Sequence, residues 1–520
     1  MPLLDSLIAR GAEGDPAFLA GAAATVAAGC ALCATLYRLW LHPLAKIPGP
    51  KYMAISDIFS QWHHFISLDM SPYAIELHRK YGPVVRIGPN RVIVAGSVAW
   101  LQVYGVRGSS GVGEFGKTQG FLYPTDHMAL LGAPWEDHRR QRRQLNHAFS
   151  VAALHEQEPI ITQYVNRLME ELAARATRGE AVDIVQWLNL CTFDVIGDLC
   201  FGESFQGLEG NTTFVDNTFR MLIGNSCIRF LNQYPLLKIP LMILLGTKET
   251  KVALEAGKAN AGLGKVKAQA RMAKGDYEDG RRDFATYMLR KGKDGERGLS
   301  DAEVGALSSI LVLAGSETTA TALSGFVYFL SRPENAEKRR ILEDEIRAAF
   351  ADDADINMTS TGHLEYLRVF LEETMRMYPP AATMTPRISP GAEVGGYWLP
   401  QGSLIHVYSN AAYRDPANFT DPDSFHPERW LKPAHPQHDA RFDSDKKEVF
   451  KPFSFGARDC IGKNLAYAEM RVIASRLVYN FDFKLLPGQD DWMAKQPNTL
   501  LWLKEGFKVQ PSLHKKAVAA

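Results

Sequence analysis

The chain has 520 residues, and its 58 Lys and Arg are balanced by 58 Asp and Glu, so its formal net charge is zero. A neutral chain lacks the electrostatic footprint of a nucleic-acid binder, so no nucleic-acid partner is expected. Hydrophobic residues at 46% exclude a disordered or collagen-like chain, and six cysteines are too few for a disulfide scaffold at this length.

Residues 16–37 carry no charge over 22 positions, enough to span a hydrocarbon core of about 30 Å as a helix. Asp5, Glu13 and Asp15 outnumber Arg10 before this segment, and Arg38, Lys46 and Lys51 follow it. That asymmetry favours an uncleaved anchor over a signal peptide, with the C-terminal side in the cytosol. Residues 1–15 are then a lumenal N-terminus. Residues 38–50 contain Pro43, Pro48 and Pro50, which cannot continue a helix, and read as a stiff hinge. Residues 51–520 read as one large domain. Cys30 and Cys33 form a C-x-x-C inside the anchor, with no second pair nearby to complete a zinc site.

Beyond the hinge, Val84–Ile87 and Arg91–Val94 flank Gly88-Pro89-Asn90, a hairpin signal. Helical periodicity dominates afterwards, as at 152–175, 182–199 and 336–350. The longest helix begins at a Ser300/Glu303 capping box and meets no proline before Pro333, which predicts about 30 residues. Short strand-like runs return between Pro386 and Val407. The fold expected is mainly α with a small β portion. Between residues 228 and 246 the apolar residues crowd around Pro235 and Pro240, which suits either buried core or a loop dipping into a bilayer face.

Gly111 to Thr118 matches the phosphate-loop pattern G-x-x-x-x-G-K-[ST]. That loop needs a buried strand before it, and Val106-Arg107-Gly108-Ser109-Ser110 is polar. A P-loop nucleotide-binding protein is therefore a remote alternative, and a flexible Gly-rich loop is expected.

The most informative segment is Phe453-Ser454-Phe455-Gly456-Ala457-Arg458-Asp459-Cys460-Ile461-Gly462. Cys460 sits before a periodic helix at 464–479, where a helix N-terminus favours a thiolate. Glycines on either side let the backbone approach a flat cofactor, and Arg458 can pair with a carboxylate. The spacing F-x-x-G-x-R-x-C-x-G resembles the haem-binding signature of the cytochrome P-450 monooxygenases at all five fixed positions. The resemblance implies haem b (iron protoporphyrin IX), with Cys460 as the proximal thiolate ligand and metal-binding residue. It also implies Arg458 on a haem propionate, Phe453 beside the sulfur, and Gly456 and Gly462 shaping the loop.

Further motifs of the family follow in order. Glu373-Thr374-Met375-Arg376 matches E-x-x-R; several other pairs do too, but Glu373 lies 87 residues before Cys460 and precedes Tyr378-Pro379-Pro380. Pro427-Glu428-Arg429-Trp430 resembles P-E-R-F, with Trp in place of Phe. Glu373, Arg376 and Arg429 are thus implied as a structural network. Ala314-Gly315-Ser316-Glu317-Thr318-Thr319 resembles the distal A-G-x-[D/E]-T-[T/S] element. There Ala314 and Gly315 lie over the haem, Thr318 organises proton delivery, and Glu317 belongs to the proton route. Trp135 and Arg139 match W-x-x-x-R, which contacts a propionate, and Arg387 fits a further propionate partner.

The resemblance, strongest to fungal secondary-metabolism members such as trichothecene-pathway hydroxylases, implies an endoplasmic reticulum, single-pass protein whose catalytic domain faces the cytosol. Electrons from NADPH would arrive through cytochrome P-450 reductase, with cytochrome b5 as a second donor. O2 and a lipophilic small molecule of polyketide or terpenoid type would be substrates for hydroxylation or epoxidation. The alternative is rearrangement, dehydration or coupling on the same haem. The basic run from His138 to Arg143 is expected on the donor-docking face. Pocket walls are expected from 111–128, Ile310, Ala314, 381–385 and Thr499–Leu500.

Overall fold

The computed structural model describes residues 16–105, 113–118, 128–234, 240, 243, 248–275, 280–291 and 298–514. Its principal helices are α1 (Pro16–Leu36), α2 (Trp135–Leu145), α3 (Val151–Thr177), α4 (Ile184–Phe201), α5 (Thr213–Gln233), α6 (Lys248–Lys274), α7 (Asp301–Ser331), α8 (Ala336–Ala349), α9 (Glu365–Met377) and α10 (Lys463–Asn480).

Helix α7 is the axis of the body. Its start is fixed as the sequence predicts: the Glu303 amide donates to Ser300 Oγ at 3.3 Å, and the Ser300 amide donates to the Glu303 carboxylate at 2.9 Å. Helices α4 and α7 are each long and apolar enough to cross a membrane, yet 89% and 83% of their apolar windows are buried inside the protein. Helices apolar all round belong in a core, and these two pack on each other there.

The predicted hairpin forms β1 (Val84–Gly88) and β2 (Arg91–Val94), with a register shift at Gly88. The segment 386–407 supplies β5 (Arg387–Ile388), β6 (Ala392–Val394), β7 (Tyr397–Leu399) and β8 (Leu404–His406). With β3 (Gly116–Lys117) the main sheet has the order β1-β2-β8-β5-β3, parallel only at β2–β8. A second sheet joins β4 (Val182–Asp183), β10 (Lys508–Leu513) and β9 (Phe481–Leu485) in that order. Periodicity at 182–199 therefore covered a two-residue strand as well as α4, because β4 pairs with β10, far away in sequence.

The N-terminal helix runs past Tyr37 as a π-helical turn to Leu41, giving a 26-residue span of mean hydropathy 1.9, with none of its window buried. Pro43 then stops it. The expected hinge is docked rather than free. Leu44 and Ile47 are buried in the core beside β1 and β2. Arg38 donates to the Ile55 carbonyl at 2.5 Å and accepts from Arg86 at 2.7 Å. The stretch 1–15, expected to be lumenal, and most of 235–247 lie outside the described residues. Of the apolar stretch, Phe230 is fully buried against Trp62, as the core reading expects, whereas Ile243 is 82% exposed.

Candidate active site

A cavity of about 290 Å³ lies between α7 and the segment preceding α10. Cys460 lines its proximal side and Ala314, Gly315 and Thr318 line its distal side.

The loop that presents Cys460 is held by its backbone. The Cys460 amide donates to the Phe453 carbonyl at 2.9 Å, and the Phe453 ring packs on Tyr467 of α10 at 5.0 Å. Gly456 has φ +81, and a side chain there would collide with the Tyr104 carbonyl, so glycine is required on two counts. Gly462 lies beside the sulfur, a Cβ there reaching within 3.9 Å of Cys460 Sγ. Cys460 is exposed and lines the cavity. Burial pushes its thiol up, and a backbone hydrogen bond from Gly462 opposes this weakly. An iron bound at the sulfur would favour the thiolate.

On the distal wall, the Thr318 hydroxyl donates to the Ala314 carbonyl at 2.6 Å. This is the back-bond expected of any mid-helix threonine, and it leaves the hydroxyl oxygen free to accept from the cavity. Gly315 lines the cavity too, but a Cβ there would lie 2.6 Å from Ile196 Cδ1, so its role includes the close packing of α7 on α4. Glu317 points elsewhere. It is fully buried, does not line the cavity, and pairs with Lys504 at 2.6 Å.

One end of the cavity collects buried cations. Arg458 donates to Glu114 at 2.6 Å and to the Ala133 carbonyl at 2.9 Å. Arg387 donates to the Phe115 carbonyl at 3.3 Å and lies over the Tyr104 ring, with its Nε unpartnered. Lys117, opposite Arg387 in the β3–β5 register, is held well below its ordinary range by burial and by Arg387 and Arg458. Trp135 Nε1 is buried without a partner, and the Arg458 guanidinium lies 5.6 Å from the Trp135 ring. Arg139 does not line the cavity. Its side chain is 45% exposed and reaches Glu136 at 3.7 Å, while His138, one residue earlier, faces in. Burial, then Arg458 and Lys117, bring His138 down to about 2, so it is a neutral imidazole.

Three basic side chains facing one acid, with orphaned donors on Arg387 and on Trp135, which does not itself line the cavity, suit a carboxylate ligand. The two propionates of a haem would fit this donor set, and Cys460 and Thr318 line the same cavity. Lys117, Glu114 and His138 were missed by the sequence reading. Lys117 lay inside the phosphate-loop pattern, which the sequence reading set aside as a flexible Gly-rich loop, so no role was given to it. Gly111, Val112 and residues 119–127 lie outside the described residues; within the pattern, Gly116 and Lys117 form the strand β3, paired with Arg387 and Ile388.

The implied lock network is closed. Glu373 receives Arg376 at 2.9 and 2.8 Å, Arg429 at 3.1 Å, the His426 amide at 2.8 Å and Trp430 Nε1 at 3.0 Å. Arg429 also reaches Asp445. Burial alone would raise the Glu373 carboxyl, but Arg376 and Arg429 overcome it and bring it to about 2. Tryptophan at 430 adds a donor that the usual phenylalanine lacks.

In the basic run, Arg140 pairs with Glu303 at 2.5 Å and Asp137 at 2.9 Å, and Arg142 holds Asp459 at 2.6 Å. Arg143 alone of these three is exposed without a described pairing.

The model of the family described as cytochrome P-450 matches residues 57–511. The cytochrome P-450 monooxygenase aclL of Aspergillus oryzae is 37% identical over 482 residues, 92% of this chain and 94% of that protein. The trichothecene C-4 hydroxylase of Trichoderma arundinaceum is 36% identical, covering 90% of this chain and 92% of its own length. The trichothecene C-15 hydroxylase of Fusarium sporotrichioides is 36% identical, with 91% and 94% covered. The proximal cysteine loop, the distal threonine and the closed Glu373 network thus lie in a chain that belongs to the cytochrome P-450 family, an oxygen-incorporating haem monooxygenase.

Proposed function

We propose that this chain inserts one oxygen atom of O2 into a lipophilic small molecule of polyketide or terpenoid type, by hydroxylation or epoxidation. The observation that carries this reading is the shared cavity, with Cys460 on one side and Thr318 on the other. A bound haem supplies the iron that accepts electrons and activates O2.

The chain's own residues do the rest. Cys460 Sγ would hold the haem iron as a thiolate, with its loop fixed by the Cys460 amide on the Phe453 carbonyl and by the loop glycines. Lys117, Arg387, Arg458 and Trp135 would hold its propionates. Thr318 Oγ1 keeps its proton on the Ala314 carbonyl and offers a lone pair to the cavity, where it can orient a water or a protonated group. The remaining wall at Ile310, Leu311, Ala381, Met384 and Leu500 is apolar and excludes water from the reacting carbon. The trichothecene hydroxylases among the relatives support a terpenoid-like substrate. The exposed apolar helix α1 supports anchoring in the endoplasmic reticulum membrane, with the body in the cytosol. Electrons come from NADPH through its reductase, with cytochrome b5 as a second donor, and Arg143 is the free cation of the basic run for docking an acidic donor.

Cys460→Ala tests the reading. The ferrous carbon monoxide complex of the wild type should show the thiolate-shifted absorption band, and the variant should lose it. A shifted band retained in Cys460→Ala would overturn the ligand assignment, and with it the reaction.

A further inference from the structure

Lys504 is a fully buried lysine that no motif marks. It lies between β9 and β10, four residues beyond Leu500, which lines the cavity. Its ammonium contacts the Glu317 carboxylate at 2.6 Å, Thr321 Oγ1 at 2.8 Å, Asn189 Oδ1 at 3.4 Å and the Glu317 carbonyl at 3.5 Å. The Phe219 ring lies 5.7 Å away. One side chain thus ties the substrate-facing C-terminal segment to α7, α4 and α5.

Every polar atom around Nζ can accept. Thr321 spends its own proton on the Glu317 carbonyl at 2.7 Å, leaving a lone pair for Lys504. An ammonium has donors and no acceptor, so this shell suits the charged lysine and hence a charged Glu317. Burial pushes the Glu317 carboxyl up and the Lys504 ammonium down, and their mutual attraction pulls each back. Neither side chain touches solvent.

We propose that Lys504 is a positioning residue for the monooxygenase reaction: it fixes the direction and the charge of Glu317 behind Thr318, and joins that carboxylate to the cavity wall at Leu500. The proposal rests on the function assigned above, since Glu317 matters to the reaction only if Thr318 faces activated oxygen. Without Lys504 the carboxyl would have burial acting on it with no counter-charge, and would take up a proton. Its direction would no longer be set, and the environment of Thr318 would change with it.

Lys504→Met keeps the length of the side chain and removes its charge. In infrared spectra at neutral pH, Lys504→Met should gain a protonated-carboxyl band that is absent from the wild type. That band should vanish in Lys504→Met/Glu317→Gln. Product formed per NADPH should fall several-fold at unchanged haem content, with the balance released as peroxide, and Lys504→Arg should restore both coupling and the ionised carboxylate. A structural role alone would lower the unfolding temperature and leave the coupling ratio per haem unchanged. That result, or an ionised Glu317 in Lys504→Met, would overturn the proposal. Failure of the haem assignment is distinguishable, because it would appear in the wild-type carbon monoxide spectrum while leaving the infrared result intact.

Discussion

Two buried charge clusters lie on opposite accounts of the same electrostatics. Around Glu373, two carboxylates (Glu373 and Asp445) meet two guanidiniums (Arg376 and Arg429), and backbone carbonyls at Tyr413, Pro422 and Thr420 take the remaining donors. At the cavity rim, Lys117, Arg387 and Arg458 face Glu114 with donors left over. The first cluster is complete without a ligand and is therefore a structural lock. The second is complete only when an anion arrives. Buried charge alone does not mark a functional site; uncompensated buried charge does.

The comparison can be broken most severely at its balanced member. Glu373→Gln strands two buried guanidiniums and should cost about 3–5 kcal/mol, read as loss of folded, haem-containing protein and a lower unfolding temperature. Because Glu373 lies at about 2 in the folded chain against an ordinary 4.5, its contribution is fully present above about 4.5 and is lost as pH falls toward about 2. The wild type should therefore lose more stability across that acid window than Glu373→Gln does.

At the unbalanced cluster the sign differs. Lys117→Met should leave the apoprotein as stable as the wild type or more so, since it removes one of several like charges. The same variant should release haem about tenfold faster to a haem-scavenging protein, having lost a charge-assisted contact. Loss of apoprotein stability equal to that of Glu373→Gln would show that both clusters are structural.

The smallest effect belongs to the tryptophan that replaces the usual phenylalanine. Trp430→Phe removes one donor from Glu373 while both guanidiniums remain, so about 1–2 kcal/mol should be lost, measured by chemical unfolding. Haem retention should be unchanged. An effect as large as that of Glu373→Gln would mean that Trp430, not the arginines, carries the lock.

The same division explains what the sequence could and could not reveal. Motif spacing located Cys460, Thr318, Glu373, Arg376 and Arg429, because each lies in a short segment whose local geometry is set by its own glycines, caps and helix register. The capping box at Ser300 and the hairpin at Gly88 were legible for the same reason. Lys504 was not, since its partner Glu317 lies 187 residues upstream and nothing local marks it. Lys117 was visible as a basic residue in a Gly-rich loop, but its two-residue strand exists only through pairing with Arg387. The choice between His138 and Arg139 as the inward residue depends on the exact rotation of α2, which an i, i+4 pattern alone does not fix. The end of the first helix at Leu41 and the docking of the hinge depend on contacts with Arg86 and the main sheet.

That docking has a mechanical consequence. With Arg38 clamped between the Ile55 carbonyl and Arg86, and Leu44 and Ile47 sunk into the body, α1 behaves as a mast stepped into a hull rather than as a rope. With α1 in a bilayer, the tilt of the helix sets the attitude of the whole body. An electron donor diffusing in the same membrane then meets this protein at a restricted set of angles, and orientational search is reduced before any surface contact is made.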